Sequence, residues 1–144
     1  MIGILWIARA LAFLGFLDAA YLTATHYGAA SLACGPGGGC DIVTTSQYAT
    51  VAGVPLAVLG LVYYVVVNLI VWTPPSGWSR TVGVAFVAIT AIAVTMSAFL
   101  VYLQAAVIDA WCRYCLVSAG VSTGLLLTAI ALHRNPIMLE AIDG

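Results

Sequence analysis

"TVGVAFVAITAIAVTMSAFLVYLQAAV", Thr81 to Val107, contains no charged residue and is followed almost at once by "WCRYC", Trp111 to Cys115. The hydrocarbon core of a bilayer takes roughly 20 apolar residues as α-helix, so this run reads as a membrane span. Three more segments read the same way, at about 2–27, 54–73 and 111–133. "PPSG", Pro74 to Gly77, breaks the chain between the second and third, and a short turn near Asp109 joins the third to the fourth. The first segment is too long for a cleaved signal sequence and carries Asp18 within it, so it is expected to be retained. Of 144 residues, 64% are hydrophobic and 6% charged, and the mean hydropathy is +1.14. Soluble domains run near 25% charged, so this chain has too little polar side chain to face water. With four Lys and Arg residues and a net charge of −1, it offers no electrostatic grip on nucleic acid. The expectation is one all-α membrane domain: a four-transmembrane-helix bundle with a long extracytoplasmic loop, residues 28–53, between helices 1 and 2.

Four spans place both termini on one side of the membrane, and the first loop and the last turn on the other. All four cysteines of the chain, Cys34, Cys40, Cys112 and Cys115, then share one face. Arg80, Arg134 and the amino terminus lie at the terminus side, and Arg113 lies at the cysteine side. This bias puts the termini in the cytosol and the cysteines outside the plasma or inner membrane, where disulfides persist.

Cys112 and Cys115, three apart at the start of a helix, are neighbours on one face. Helix N-terminal N–H groups and Arg113 favour the thiolate there, which makes the pair reactive. The bland alternative is a static bridge, but a disulfide closing so short a loop stabilises little. Cys34 and Cys40 enclose "GPGGG", supple enough either to staple the loop or to swing a thiol elsewhere. Zinc is a rival for the four thiolates, but the Cys34–Cys40 spacing is loose for it and His26 is the only nearby imidazole; no metal is expected. Two reactive pairs on one face suggest a thiol–disulfide relay. The loop pair would meet a soluble partner. The helix pair, at the bilayer edge, would meet a lipid-soluble two-electron acceptor, for which a quinone is the natural choice.

"CDIVTTSQYATVAGVPLAVLG", Cys40 to Gly60, resembles the vitamin K epoxide reductase family, and its bacterial and archaeal members most closely. "DAAYLTATHY", Asp18 to Tyr27, resembles their first span, and "WCRYC" the opening of their fourth. The resemblance implies a four-helix bundle around a quinone (ubiquinone, menaquinone or a vitamin K-type naphthoquinone) and a thioredoxin-fold, DsbA-like partner. It implies that Cys112 and Cys115 form the active pair, with Cys115 facing the quinone, and that Cys34 and Cys40 are the shuttle. Which of the two attacks Cys112 stays open. Vertebrate members aim an Asn in the second span and a Tyr one turn after the last cysteine at the substrate. The matching positions here are Leu56 and Ala119, so the resemblance implies plain quinone reduction rather than epoxide chemistry. The DsbB-type membrane oxidases also have four spans, two cysteine pairs and a quinone, but their Cys-x-x-Cys lies in the first loop. A non-catalytic membrane protein with structural disulfides is the reading from another class.

Some further residues carry expectations. Asp18 is an acid within a span, a functional position by default, suited to relaying a proton or to bonding Thr and Tyr neighbours. Ser46 is a candidate helix cap or active-pair contact, and residues 44–52 a short interfacial helix. Trp111, Tyr114 and Tyr27 suit an aromatic belt, and Trp111 also a quinone wall. His26 reads as an interfacial polar residue, Asp109 as the N-cap of the fourth helix, and Pro55 as the first-turn proline of the second. Tyr63, Tyr64 and Asn68 read as bundle packing.

Overall fold

The computed structural model describes residues 2–28, 33–34 and 39–134. Four long helices dominate: α1 (Ile2–His26), α3 (Leu56–Trp72), α4 (Arg80–Leu103) and α5 (Arg113–His133). Between α1 and α3 lie a short helix α2 (Cys40–Thr45), a 3-10 turn (Gln47–Ala49) and a two-stranded hairpin, β1 (Thr50–Val51) with β2 (Val54–Pro55). Helix α4 runs on into a π turn (Gln104–Ile108). Among the described residues, three helical stretches are long and apolar enough to cross a membrane: Ile2–His26, Arg80–Ile108 and Arg113–His133. Helix α3 has 17 residues, about 26 Å at 1.5 Å per residue, because the hairpin takes Val54 and Pro55 from the expected second span. Pro55 therefore stands at the N-cap position, one residue before the helix.

The bundle closes on a stripe of small residues. Ala8, Ala12, Gly15 and Ala19 recur every three or four positions along α1, and all are buried. Such a stripe lets membrane helices approach closely, and α1 packs against both α3 and α5. The Tyr64 ring fills the space left by Gly15: a Cβ there would fall within the ring. The Tyr64 hydroxyl bonds Ser118 Oγ at 2.9 Å and Ser122 Oγ at 3.2 Å, joining α3 to α5. Asn68 Nδ2 donates to the Ala12 carbonyl at 3.1 Å, joining α3 to α1. These are the interhelical hydrogen bonds that apolar surroundings favour, and they agree with the packing role expected of Tyr64 and Asn68. At the far end Arg9 Nε donates to the Val71 carbonyl at 3.0 Å, with its guanidinium between the Trp6 and Trp72 rings. Helix α5 packs on α4, whereas α3 and α4 meet at few positions. Large apolar side chains, among them Leu69, Ile92, Phe99 and Leu127, face outward, as suits lipid rather than water.

Local details differ from expectation. The helix expected at 44–52 runs instead from Cys40 to Thr45 and stops where Ser46 turns extended, with ψ at 157°. The hairpin follows, and its turn residues Ala52 and Gly53 both have positive φ, 51° and 82°, the backbone a two-residue hairpin loop requires. Asp109 does not cap α5. It sits in the left-handed region at φ 53°, ending the π turn, and Cys112 is the N-cap, its sulfur accepting from the Cys115 N–H.

Candidate functional site

At the loop end of the bundle a second cluster of buried residues forms around sulfur: Cys34, Cys40, Val43, Ala110 and Cys112, with Ile108, Tyr114 and Cys115 against it. Cys34 and Cys40 are joined in a disulfide, with their Cα atoms 6.1 Å apart. Cys112 and Cys115 are free thiols. Cys112 is fully buried beneath the loop. The fold thus brings all four expected cysteines into one neighbourhood, loop pair against helix pair.

Backbone and aromatic contacts position the loop. The Ala33 N–H donates to the Tyr21 hydroxyl at 3.1 Å, and the Tyr114 hydroxyl donates to the Ala33 carbonyl at 3.1 Å. The two rings pack with centroids 5.2 Å apart. Tyr21 from α1 and Tyr114 from α5 therefore grip the residue next to Cys34 from both sides. At the other end of the loop, a Cβ on Gly39 would meet the Ala110 Cβ at 2.7 Å and the Trp111 nitrogen at 2.9 Å, so only glycine allows this approach. Sequence reading assigned Tyr114 to an aromatic belt, took Gly39 only as one of the glycines that make the loop supple, and gave Tyr21 no role of its own. The one available signal was the spacing of Tyr21, one turn beyond Asp18 on α1.

Cys112 is fixed from below by Gln104. Its Oε1 accepts from the buried Cys112 N–H at 2.8 Å, and its carbonyl accepts from the Ala110 N–H at 3.1 Å. The π turn swings this side chain under the cysteine turn. Gln104→Leu keeps the bulk but leaves the Cys112 N–H without an acceptor, which costs about 1–3 kcal/mol. A lower thermal midpoint in detergent, together with faster amide exchange at Cys112, is the expected result.

Cys115, one turn into α5, lines a cavity between α1, α3, α4 and the segment that covers them. The cavity has a volume of about 130 Å³ and an open mouth. Its walls are mostly apolar: Leu22, Val43, Pro55, Leu56, Leu100, Leu103 and Ile108, with Gly60 leaving room on α3. The polar lining includes Asp18, His26, Ser46, Tyr48 and Gln104. Of the residues expected at a quinone, Cys115, Ser46 and Leu56 line this cavity. Trp111, about half exposed, and Ala119 are not among its lining residues. Ser46 Oγ donates to the Val43 carbonyl at 2.7 Å, so its hydroxyl closes the end of α2. No group of three or more His, Cys, Asp or Glu able to hold a metal occurs among the described residues.

The model of the Vitamin K epoxide reductase family matches residues 6–130, which takes in α3, α4, most of α1 and α5, and both cysteine pairs. The chain belongs to that family. It is also 38% identical, over 122 residues, to the thiol-disulfide oxidoreductase LTO1 of Arabidopsis thaliana. That alignment covers 79% of this chain and 32% of the plant protein, so the chain spans about a third of that relative's length. Together with the apolar helices, family membership makes this a membrane protein.

Proposed function

We propose that this protein is a membrane thiol–quinone oxidoreductase: it oxidises the dithiol of a thioredoxin-fold partner, reduces a quinone, and so supports disulfide formation. One observation carries the reading. Cys115 lines an apolar cavity, while Cys112 is buried against the Cys34–Cys40 disulfide. We read the loop pair, carried by the covering segment, as the one that meets a partner from the water side, and the helix pair as the one that meets a molecule dissolved in lipid.

The exchange steps balance as follows. A donor thiolate attacks the Cys34–Cys40 disulfide, and the donor leaves as its own disulfide, with both loop sulfurs reduced. A loop thiolate then attacks Cys112 in a Cys112–Cys115 disulfide, releasing Cys115. The second loop thiol closes Cys34–Cys40 again and releases Cys112. The result is an oxidised loop pair and a reduced helix pair, the combination of bonds seen here. A quinone, when bound, accepts two electrons and two protons as Cys112 and Cys115 rejoin.

The cavity fits such a guest. Its walls are largely apolar, as small-molecule sites are, and it contains a buried carboxyl oxygen, Asp18 Oδ2, without a hydrogen-bond partner. The residues that would hold the ring are Cys115, Leu56 and Ser46. We further propose that α3 also crosses the membrane, as the second of four spans, that the termini face the cytosol, and that the cysteine end faces outward. Arg80 and Arg134 at the terminus end and the Trp6, Trp72 and Arg9 cluster beside them support that orientation.

The test is direct. The purified protein is mixed with ubiquinone or menaquinone and a reduced thioredoxin-fold protein, and quinone absorbance is followed. One quinol per pair of donor thiols is the expected stoichiometry. Absence of quinol formation with both quinones, with this donor and with dithiothreitol, overturns the reading.

A further inference from the structure

Among the described residues, two buried side-chain oxygens lack a hydrogen-bond partner: Asp18 Oδ2 and the Tyr63 hydroxyl. Only Asp18 lines the cavity. A carboxyl oxygen left unpaired inside a membrane helix is costly to keep. Two neighbouring hydroxyls bond elsewhere, Tyr64 to Ser118 and Ser122, and Thr23 to the Ala19 carbonyl. A carboxyl with one buried oxygen left unpaired has room to act on a guest.

Its surroundings connect it to the water side. Asp18, Leu22 and His26 follow one another at four-residue steps along one face of α1, and all three line the cavity. Eight residues of helix span about 12 Å, from the depth of the cavity to its rim. His26 is exposed at that rim. It also lines a second cleft, with Asp41, Thr45 and Gln47, on the loop side. His26, Thr44, Ser46 and Ala49 line both spaces, so the wall between cavity and loop-side cleft is largely polar. The other titratable groups lining the cavity are Cys115, across from Asp18 on α5, and Tyr48 in the covering segment.

We propose that Asp18 is the proton donor to the electron acceptor in this cavity, supplied from the loop side past His26. The proposal rests on the thiol–quinone reading. When the two helix thiols are oxidised, two S–H bonds break, an S–S bond forms, and two electrons and two protons go to the acceptor. Asp18 delivers a proton to an acceptor oxygen and recovers one from the Cys115 thiol. The proton that Cys112 loses to the loop side on becoming a thiolate is replaced by one entering past His26. One proton therefore passes within the site and the other exchanges with the loop side alone, so turnover moves no net charge across the membrane.

The test separates the two half-reactions. Quinol formation is followed by absorbance with ubiquinone and dithiothreitol. Reduction of the Cys112–Cys115 disulfide by the same donor, without quinone, is followed by thiol alkylation and mass. Positioned proton transfer contributes about 10²–10⁴-fold, so Asp18→Asn is expected to slow quinol formation by that order while disulfide reduction keeps its wild-type rate. Asp18→Glu is expected to recover part of the loss, and His26→Gln to slow quinol formation alone. Wild-type quinol formation in Asp18→Asn overturns the proposal, as does an equal fall in both half-reactions, which marks a structural role. If Asp18→Asn does not fold, His26→Gln decides: a wild-type rate of quinol formation there contradicts the path. If the wild-type protein itself makes no quinol, the fault lies with the thiol–quinone reading.

Discussion

Cys34→Ala and Cys40→Ala are expected to lose most quinone reduction with a thioredoxin-fold donor and to keep much of it with dithiothreitol. Cys112→Ala and Cys115→Ala are expected to lose both. The reason is geometric. Cys112 is fully buried against the loop pair, whose own sulfurs are also buried, so a folded donor is expected to meet the covering loop first and to hand its electrons to Cys34–Cys40. A small dithiol can instead enter the cavity and attack the Cys115 sulfur, which lines it. No loop sulfur is needed on that route. Removing either helix cysteine leaves no disulfide beside the cavity for any donor to reduce. Quinone absorbance against time, for four variants and two donors, gives the comparison. Equal loss of the dithiothreitol-driven rate in all four would make the loop part of the catalytic centre. No loss in any would make the cysteines structural.

The second large effect is on the fold. Gly15 faces the Tyr64 ring with no room for a Cβ. Gly15→Val therefore pushes Tyr64 out of its place and breaks its bonds to Ser118 and Ser122, which hold α3 to α5. Overpacking of a core costs about 1–3 kcal/mol, sometimes more, and the lost hydrogen bonds add about 0.5–1.5 kcal/mol each. For a small bundle this amounts to a large part of the total stability. The variant is expected to melt far below the wild type in detergent. Combined with Tyr64→Ala, Gly15→Val is expected to cost much less than it does alone, since the ring it displaces is gone. Additive losses in that double-mutant cycle would show that the two residues do not share the space.

The long apolar helices were legible because apolar runs of this length have few other fates, and Pro74 and Pro75 mark a clear stop between two of them. The beginning of α3 was not. Ala52 adopts a positive φ that its residue type disfavours, so nothing in "TVAGVP" announced a two-residue turn, and Val54 read as helix. Asp109 misled for the opposite reason. Aspartate is a frequent N-cap, but the π turn extends α4 past Gln104 and leaves Asp109 to reverse the chain, so the capping role moves to Cys112.

At the site, the four cysteines stood out by residue type and spacing. Their supports did not. Gln104 reaches Cys112 only because a π turn rotates it there. Tyr114 meets Ala33 across 81 residues of sequence, and an interfacial tyrosine and a loop clamp look alike in the chain. Asp18 was visible as an acid within an apolar run, whereas the cavity that it shares with Cys115 is made by elements distant in sequence.

The central claim is that electrons pass from the loop pair to the helix pair, and disulfide mapping in Cys115→Ala tests it most directly. Without Cys115, a loop thiolate that bonds Cys112 cannot be displaced by its neighbour in the helix. The account predicts that peptide mapping of the purified variant finds a bridge from Cys34 or Cys40 to Cys112. Finding only the Cys34–Cys40 bond, with Cys112 always a free thiol, would contradict it.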